Sequence, residues 1–477
     1  MATDSITSMR AVDLAAAMAS RAVSCREVMA ASLAQIAKYN PTHNAIINLK
    51  DHDVLLKAAD AADARVARGG RLPPLFGLPH ALKDLTAVAD MVCASGSPLL
   101  RDFVPPADSI MVSRLRKAGA IFIGKTNVPE FGFGSHTFNK LHGVTRNAYD
   151  PTKSAGGSSG GAAVALALNM VPLADGSDMM GSLRNPAGWN GIYALRPTAG
   201  LVPIASPDLF GQPLSTEGPM ARNMADLALL LGVQAGSDAG TPLSIAGDPA
   251  RFRRLQPAAS KGLRIGWLGD FDGYLAMEPG VLALCETALG TFKALDCHVE
   301  PVRPRFDMAR LWQAWTRLRG FLTTMTLEVF YQDPAKRALM KPEAIFEVEG
   351  GRALSMAALR EAILTRTAWF HEMRRLFESF DYLVLPTAQT FPFAAELSWP
   401  DKIGARQMDT YHRWMEVVIP ASLIGLPTLA VPAGLSPSGL PMGLQIIAPH
   451  RQDTKLLELG MAYEAAFGTP LKSPLLR

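Results

Sequence analysis

Five short apolar runs, each closed by glycine or proline, constrain the fold of this chain more than any other feature of its sequence. They lie at residues 120–124, 262–269, 381–387, 428–434 and 443–449. Runs of this length and composition are typical of strands in a sheet that is covered by helices. We therefore predict an α/β fold with these runs among its central strands.

Helical patterns accompany the predicted strands. Ser24 and Glu27 have the spacing of a capping box before apolar residues at helical spacing, which predicts an N-terminal helix. Residues 306–380 are mostly helical in pattern and rich in aromatic side chains, and we interpret them as a lid over the sheet. No repeat, low-complexity tract or long Gly/Ser linker divides the chain, so a single domain is predicted.

Composition and charge narrow the class of protein. The 477 residues are 48% hydrophobic and 19% charged, which is typical of a globular protein with a large core. The basic residues are scattered and the net charge is only +4, so neither a nucleic-acid nor a membrane partner is expected. The N-terminus lacks a secretory pattern, so a cytoplasmic protein is expected. The cysteines and histidines lack metal-ligand spacing, so neither a metal nor a cofactor is expected.

Residues 119–126 satisfy the P-loop pattern GxxxxGK[ST]. In a true P-loop the strand precedes the first glycine, and the loop between the glycines binds phosphate. Here the four residues between the glycines are Ala-Ile-Phe-Ile, which have the character of the strand itself. We therefore interpret this match as a buried strand.

Residues 153–169, KSAGGSSGGAAVALALN, place two adjacent serines between two pairs of glycines. Residues 156–160 fit the nucleophile-elbow pattern GxSxG, but a polar loop precedes them where that motif needs a strand. A flexible linker is also disfavoured, because the run after Gly161 is too apolar for a solvated spacer. We predict a buried helix after Gly161, with the serines at its N-terminus.

A second serine cluster, ADGSDMMGSLRNPAGWNG at 174–191, follows this segment. Together with GLPHALKDL at 77–85 and GKTNVPEFGFGS at 124–135, these motifs resemble the amidase signature family. The resemblance implies an α/β fold with a central mixed β-sheet covered by helices on both faces, as one domain over residues 1–477. It implies N-terminal helices at about 1–65, a catalytic core at about 66–235, a helical lid-like elaboration at about 300–410 and a C-terminal return to the core sheet at 411–477.

The resemblance also implies a Ser–cis-Ser–Lys triad. Ser182 falls at the position of the nucleophile, Ser158 at a serine preceded by a cis peptide, and Lys83 at the lysine. A serine hydroxyl is a weak nucleophile until a base takes its proton, and a buried lysine can be that base because burial disfavours its charged form. Ser158 is expected to pass the proton from Ser182 to Lys83 and later to return it to the leaving amine.

An oxyanion hole is expected from the backbone N–H groups of Met179, Met180, Gly181 and Ser182. The family usually has Thr-Gly-Gly-Ser at these positions, but backbone donors survive a change of side chain. If Met180 had to adopt a positive φ, the strain would be about 1–3 kcal/mol. The two methionines are also candidates for an apolar, adaptable pocket wall.

Other positions are predicted to support the site or to line it. Asp178 and Arg184 match family positions that brace the serine loop, and Ser159 stands beside Ser158. The aromatic candidates for the substrate cleft are Phe131, Phe133, Tyr149, Trp189 and Trp414.

We therefore predict an amidase that hydrolyses a carboxamide C–N bond through an acyl-enzyme on Ser182, on a small to medium, partly apolar amide. One alternative is a carbamate, urethane or ester hydrolase with the same triad. Another is the glutaminase-type subunit of a tRNA-dependent amidotransferase, which needs partner subunits and is disfavoured by Met179 and Met180. A third is a non-catalytic binding module. The expected partner is a small-molecule amide or carbamate, and the chain is expected to be a monomer or homodimer.

Overall fold

All five apolar runs lie in one central sheet of the computed structural model, which describes residues 3–211, 213–468 and 470–476. The strands of the described residues are β1 Ile46–Ile47, β2 Pro79–Lys83, β3 Ile121–Thr126, β4 Phe138–Asn139, β5 Gly143–Val144, β6 Leu173–Asp178, β7 Tyr193–Arg196, β8 Thr216–Ala221, β9 Arg264–Trp267, β10 His298–Pro301, β11 Tyr382–Pro386, β12 Lys402–Ile403, β13 Arg406–Gln407, β14 Thr428–Leu435 and β15 Pro441–Ile447. The predicted strands are confirmed as β3, β9, β11, β14 and β15.

The central sheet contains eleven strands within the described residues, in the order β1-β3-β2-β6-β8-β7-β14-β15-β11-β9-β10. The pairs β3–β2, β2–β6, β11–β9 and β9–β10 are parallel. The other neighbouring pairs are antiparallel. The predicted α/β fold with a central mixed sheet is therefore confirmed.

Helices pack around this sheet. They are α1 Thr3–Ser8, α2 Ala11–Ala19, α3 Cys25–His43, α4 His52–Ala67, α5 Ile110–Lys117, α6 Gly160–Ala167, α7 Arg184–Trp189, α8 Met224–Gln234, α9 Pro249–Phe252, α10 Val281–Ala288, α11 Gly290–Ala294, α12 Met308–Tyr331, α13 Pro334–Arg337, α14 Pro342–Arg352, α15 Met356–Phe377, α16 Ile419–Ser422 and α17 Asp453–Phe467. Short 3-10 helices lie at Pro98–Leu100, Glu130–Gly132 and Arg413–Val418. In the described part of the chain, no helix has both the length and the apolar character needed to cross a bilayer.

The predicted N-terminal helix is α3, and its capping box is present. Ser24 Oγ accepts from the Glu27 N–H at 3.0 Å, and the Glu27 carboxylate accepts from the Ser24 N–H at 2.8 Å. The predicted helical segment at 306–380 contains α12 to α15. The division of the chain into the four predicted segments stays a prediction, and the first and last residues of its boundaries lie outside the described residues.

The buried helix predicted after the glycine-flanked serines is α6, but it is shorter than the apolar run. All its residues are buried, and it ends at Ala167, whereas β6 begins at Leu173. Asn169 adopts φ +56°, a left-handed conformation that ends helices, and Pro172 follows. A Cβ on Gly161 would lie 2.4 Å from the Asn127 backbone nitrogen, so only glycine lets α6 approach this backbone so closely.

The P-loop match lies in a strand, as predicted. β3 covers Ile121–Thr126, so Gly124 and Lys125 are strand residues. The Lys125 side chain is fully buried, and its Nζ donates to the carbonyl oxygen of Thr86 at 2.6 Å. This amine is therefore committed to the protein backbone and does not face a phosphate loop.

Candidate active site

The candidate site lies at the carboxyl ends of parallel strands. β2 ends at Lys83, β6 ends at Asp178, and the two strands run parallel to each other. Ligand sites of α/β sheets commonly lie at this edge, outside the carboxyl ends of the strands. The turn after β6 carries Ser182, and the segment before α6 carries Ser158.

Lys83 has a fully buried side chain whose amine is surrounded by hydroxyl groups. Its Nζ donates to the Oγ atoms of Ser158 and Ser159 at 2.8 Å each and to Ser177 Oγ at 2.9 Å. The Ser177 carbonyl oxygen is a fourth acceptor at 3.1 Å. Serine hydroxyl groups donate as well as accept, so the arrangement also suits a neutral amine whose lone pair accepts a hydrogen bond from one of them.

Burial controls the charge of Lys83. It lowers the pKa of Lys83 to about 7, because the charged form loses its hydration. The negative charges of Asp175 and Asp178 act in the opposite direction, and Glu217 adds to them when it is ionised. A substantial fraction of this lysine is therefore neutral near pH 7, as a general base must be.

Ser158 is held at the start of α6. The peptide bond between Gly157 and Ser158 is cis, which confirms the cis peptide expected at this position. The Gly157 N–H donates to Asn185 Oδ1 at 3.1 Å, and the Ser159 N–H donates to the Ser182 carbonyl oxygen at 3.2 Å. The two serine segments are therefore joined through their backbones.

Ser182 lines the same cavity as Ser158. Its exposed fraction is 7%, against 2% for Ser158. Among the described residues no hydrogen bond joins the two hydroxyl groups. The structure thus brings Lys83 and Ser158 into direct contact and places Ser182 in the cavity next to them. Hydrogen bonds of this kind are often completed only when a substrate is bound.

Two features of the loop after β6 bear on the predicted oxyanion hole. The left-handed conformation falls on Gly181, with φ +78°, and Met180 does not adopt a positive φ, so the strain that a positive φ at Met180 would cause is absent. The Gly181 N–H donates to Asp178 Oδ1 at 2.8 Å and is therefore occupied. The backbone N–H groups of Met179, Met180 and Ser182 donate to no acceptor in the described part of the chain. Three of the four predicted donors are thus without a hydrogen-bond partner in the described residues.

Asp178 and Arg184 form a buried ion pair behind this loop. Arg184 Nε and Nη2 donate to the two Asp178 carboxylate oxygens at 2.9 and 3.0 Å, and both side chains are fully buried. Arg196 lies nearby, with its Nε 3.7 Å from the same carboxylate. Burial alone would raise the pKa of Asp178, but Arg184 and Arg196 hold it well below its usual range. Asp178 therefore anchors the serine loop as an anion.

We expect Asp178→Ala to lower the free energy of unfolding by about 3–5 kcal/mol, because it leaves two buried guanidinium groups without their partner. Urea denaturation followed by circular dichroism measures this change. The matched control is Asp13→Ala, which removes an exposed ion pair with Arg10, and a much smaller change is expected there. Equal losses from the two variants would contradict a structural role of the buried pair.

The cavity in front of the serines has a volume of about 400 Å³. Its apolar walls come from the loops after β2, β3, β6 and β7 and from α12. The apolar side chains are Leu85, Phe131, Phe133, Met179, Met180, Ile204, Ala205, Pro207, Pro213, Leu214, Leu322, Met325 and Leu327. Within residues 3–211, 213–468 and 470–476, no group of three or more His, Cys, Asp or Glu side chains is placed to hold a metal ion.

Three of the predicted aromatic cleft residues lie outside this cavity, whereas Phe131 and Phe133 line it. Trp189 and Trp414 are fully buried and stack on each other, with ring centroids 5.6 Å apart. Tyr149 is buried, with its hydroxyl against Gly191. The prediction was wrong for Tyr149, Trp189 and Trp414, because the large apolar area of these rings is buried in the core.

The structure adds residues that the sequence analysis did not select. Ser177 contacts Lys83, and only its place beside Asp178 in the serine cluster could have indicated this. Glu217 lines the cavity from β8, and burial together with the charge of Asp175 raises its pKa to about 8. Arg319 of α12 also lines the cavity, and its Nη1 approaches Met179 Sδ at 3.3 Å. No local motif marks Glu217 or Arg319.

Known proteins resemble this chain over nearly its whole length. The model of the Amidase family matches residues 27–457. The chain is 36% identical to a glutamyl-tRNA(Gln) amidotransferase subunit of Acidothermus cellulolyticus, over 96% of this chain and 94% of that protein. It is 32% identical to an acylamidase of Rhodococcus erythropolis, over 96% of this chain and 95% of that protein. The solved structure of a bacterial aryl acylamidase of the amidase signature family matches this chain with a TM-score of 0.90 at 28% identity. The match covers 97% of this chain and 96% of that protein.

Proposed function

The chain belongs to the Amidase family, whose amidase signature enzymes hydrolyse amide C–N bonds, and from this premise we propose that it cleaves a small to medium, partly apolar carboxamide through an acyl-enzyme on Ser182. One observation carries the proposal: the buried Lys83 amine lies 2.8 Å from Ser158 Oγ, in a cavity that Ser182 also lines. A nucleophile, a relay and a base are thereby available within one site.

In the proposed first step, Ser182 Oγ attacks the carbonyl carbon of the amide. The Ser182 proton moves to Ser158, and Ser158 gives its own proton to neutral Lys83. The carbonyl oxygen becomes an oxyanion, which the backbone N–H groups of Met179, Met180 and Ser182 stabilise. This assignment uses the three donors that have no partner in the described protein.

In the second step the C–N bond breaks. Ser158 protonates the leaving nitrogen and regains a proton from the Lys83 ammonium, so the amine leaves as a neutral molecule. Water then attacks the carbonyl carbon of the Ser182 ester and gives a proton through Ser158 to Lys83. The ester C–O bond breaks, Ser182 regains a proton through the same relay, and a carboxylic acid is released. The relay returns to its starting state after each turnover, and no other reactant is consumed.

The cavity supports an apolar acyl or amine group. Its volume of about 400 Å³ is at the lower end of the range for small-molecule sites. Phenylalanine and methionine side chains form much of its wall, and thioethers adapt to varied shapes. Carbamates, urethanes and esters present the same carbonyl to Ser182, so they are further candidate substrates of this site.

A second candidate function is the glutamine-hydrolysing component of an amidotransferase, which the 36% identity to an amidotransferase component favours. We expect the purified chain alone to release nitroaniline from an aromatic nitroanilide and to release no ammonia from glutamine. Absorbance detects the first product and a coupled ammonia assay the second, with Ser182→Ala as the blank. Ammonia from glutamine without nitroaniline release would favour the amidotransferase function instead.

A further inference from the structure

A buried histidine–aspartate pair lies beside Lys83 and has no part in the proposed triad. His80 and Lys83 both belong to β2, and Asp175 belongs to the parallel neighbour β6. His80 Nε2 lies 3.0 Å from Asp175 Oδ1, and the two side chains are 1% and 0% exposed. The Lys83 backbone N–H donates to both Asp175 carboxylate oxygens, at 3.4 and 3.3 Å. Asp175 therefore holds the strand segment that carries the lysine.

The hydrogen bonds of His80 indicate its proton state. Its Nδ1 is buried and has no partner in the described part of the chain. A protonated imidazole would leave an N–H unsatisfied at this position, which costs more than an unused lone pair. The arrangement therefore favours a neutral His80 that donates from Nε2, and the negative charge of Asp175 is not cancelled by its histidine partner.

The other charged groups around Lys83 do not replace Asp175. On β6, the negative charge of Asp178 is balanced by the positive charges of Arg184 of α7 and Arg196 of β7. On β8, Glu217 lies opposite Ser177, and its raised pKa of about 8 leaves it mostly neutral at pH 7.

Two further charged groups lie on the other side of Lys83. On β3, Lys125 is a fully buried lysine whose Nζ lies 3.4 Å from the Lys83 carbonyl oxygen. Asp84 follows Lys83 in the chain, and burial raises its pKa to about 6. Asp175 is thus a buried carboxylate that has no arginine partner in the described residues and that accepts from the Lys83 backbone N–H.

We propose that Asp175, held by His80, is a positioning residue for Lys83: it fixes the backbone of the lysine and supplies the negative charge that keeps the amine a sufficiently strong base. This inference depends on the proposed function. Burial and the Asp175 charge oppose each other, because burial favours the neutral amine and the carboxylate favours the ammonium. The balance sets the pH at which the relay can accept a proton.

The test is the isosteric variant Asp175→Asn. Removal of the negative charge lowers the pKa of Lys83 further, so the lysine stays neutral to lower pH but becomes a weaker base. We expect the acid limb of the kcat/KM profile for a nitroanilide to move to lower pH by about one unit. We also expect the plateau to fall severalfold. An acid limb that stays in place or moves to higher pH would overturn the inference.

Control variants separate this effect from loss of structure. Asp453→Asn removes another buried carboxylate, one that accepts from the Thr198 N–H at 2.8 Å and does not face Lys83. It should lower the thermal midpoint without moving the acid limb. His80→Gln keeps an N–H donor for Asp175 and should leave the limb close to its natural position. If Asp175→Asn does not fold, His80→Phe is the variant to measure. We expect its acid limb to move to lower pH by less than that of Asp175→Asn, and an acid limb that does not move would count against the inference.

A second readout distinguishes failure of this inference from failure of the proposed function. The rate at which a fluorophosphonate labels Ser182 is measured against pH, because this reaction needs an activated serine but no matching substrate. If the natural chain is not labelled on Ser182, the proposed function fails. If it is labelled with an acid limb near pH 7 and Asp175→Asn has the same limb, only the role of Asp175 fails.

Discussion

Ser182→Ala is expected to reduce kcat/KM by about 10⁴-fold or more for any amide that the natural chain hydrolyses, because the variant cannot form the covalent intermediate. The remaining cavity and the backbone donors bind substrate, so KM is expected to change much less. Rates with a nitroanilide measure the loss. Intact-protein mass spectrometry after fluorophosphonate treatment shows whether the adduct on the natural chain disappears in the variant.

Ser215→Ala is the matched control for this experiment. Ser215 lines the same cavity but has no contact with Lys83, so its variant should keep both the adduct and most of the activity. An adduct that persists in Ser182→Ala would contradict the proposed nucleophile. Ser158 would then be the candidate nucleophile, because its flanking glycines fit the nucleophile-elbow pattern.

The second large effect on kcat/KM is expected from substitution of Lys83. Burial lowers the pKa of Lys83 to about 7, so the amine is protonated below that pH and neutral above it. Because only the neutral amine accepts a proton from Ser158, kcat/KM should rise with pH through about 7 and be lost as the pH falls. Lys83→Met should lower kcat/KM by about 10²–10⁴-fold and remove this acid limb.

The measurement is a pH profile of nitroanilide hydrolysis for the natural chain and for Lys83→Met, with circular dichroism to verify folding. Lys50→Met is the control, because Lys50 forms a salt bridge with Asp90 and takes no part in the relay. An unchanged acid limb in Lys83→Met would assign the base to another group. Glu217 would then be the first to test, because it lines the same cavity and burial raises its pKa to about 8.

Much of the fold could be predicted from local patterns. The runs at 428–434 and 443–449 are apolar because their strands, β14 and β15, are buried in the sheet. Ser24 and Glu27 mark the start of α3 in the sequence, since the capping box is a local contact. The end of α6 was harder to predict, because an apolar run has the same composition in a buried helix and in a buried strand.

The candidate site, like the fold, was predictable from the sequence only in part. Lys83, Ser158 and Ser182 stand in motifs that are visible as letters in the chain. The aromatic residues were less predictable, because Phe131 faces the cavity while Trp189 is buried in the core, and no local pattern separates the two.

The sequence by itself determined the α/β class and the main strands, because periodicity depends only on neighbours along the chain. The three residues of the proposed relay came from the resemblance of its motifs to the amidase signature family. The tertiary structure alone decided which groups surround Lys83. His80, Asp175 and Glu217 come from β2, β6 and β8, and they meet because these strands are adjacent in the sheet. Strand order arises from the packing of distant segments, and the electrostatic environment of the lysine follows from that packing.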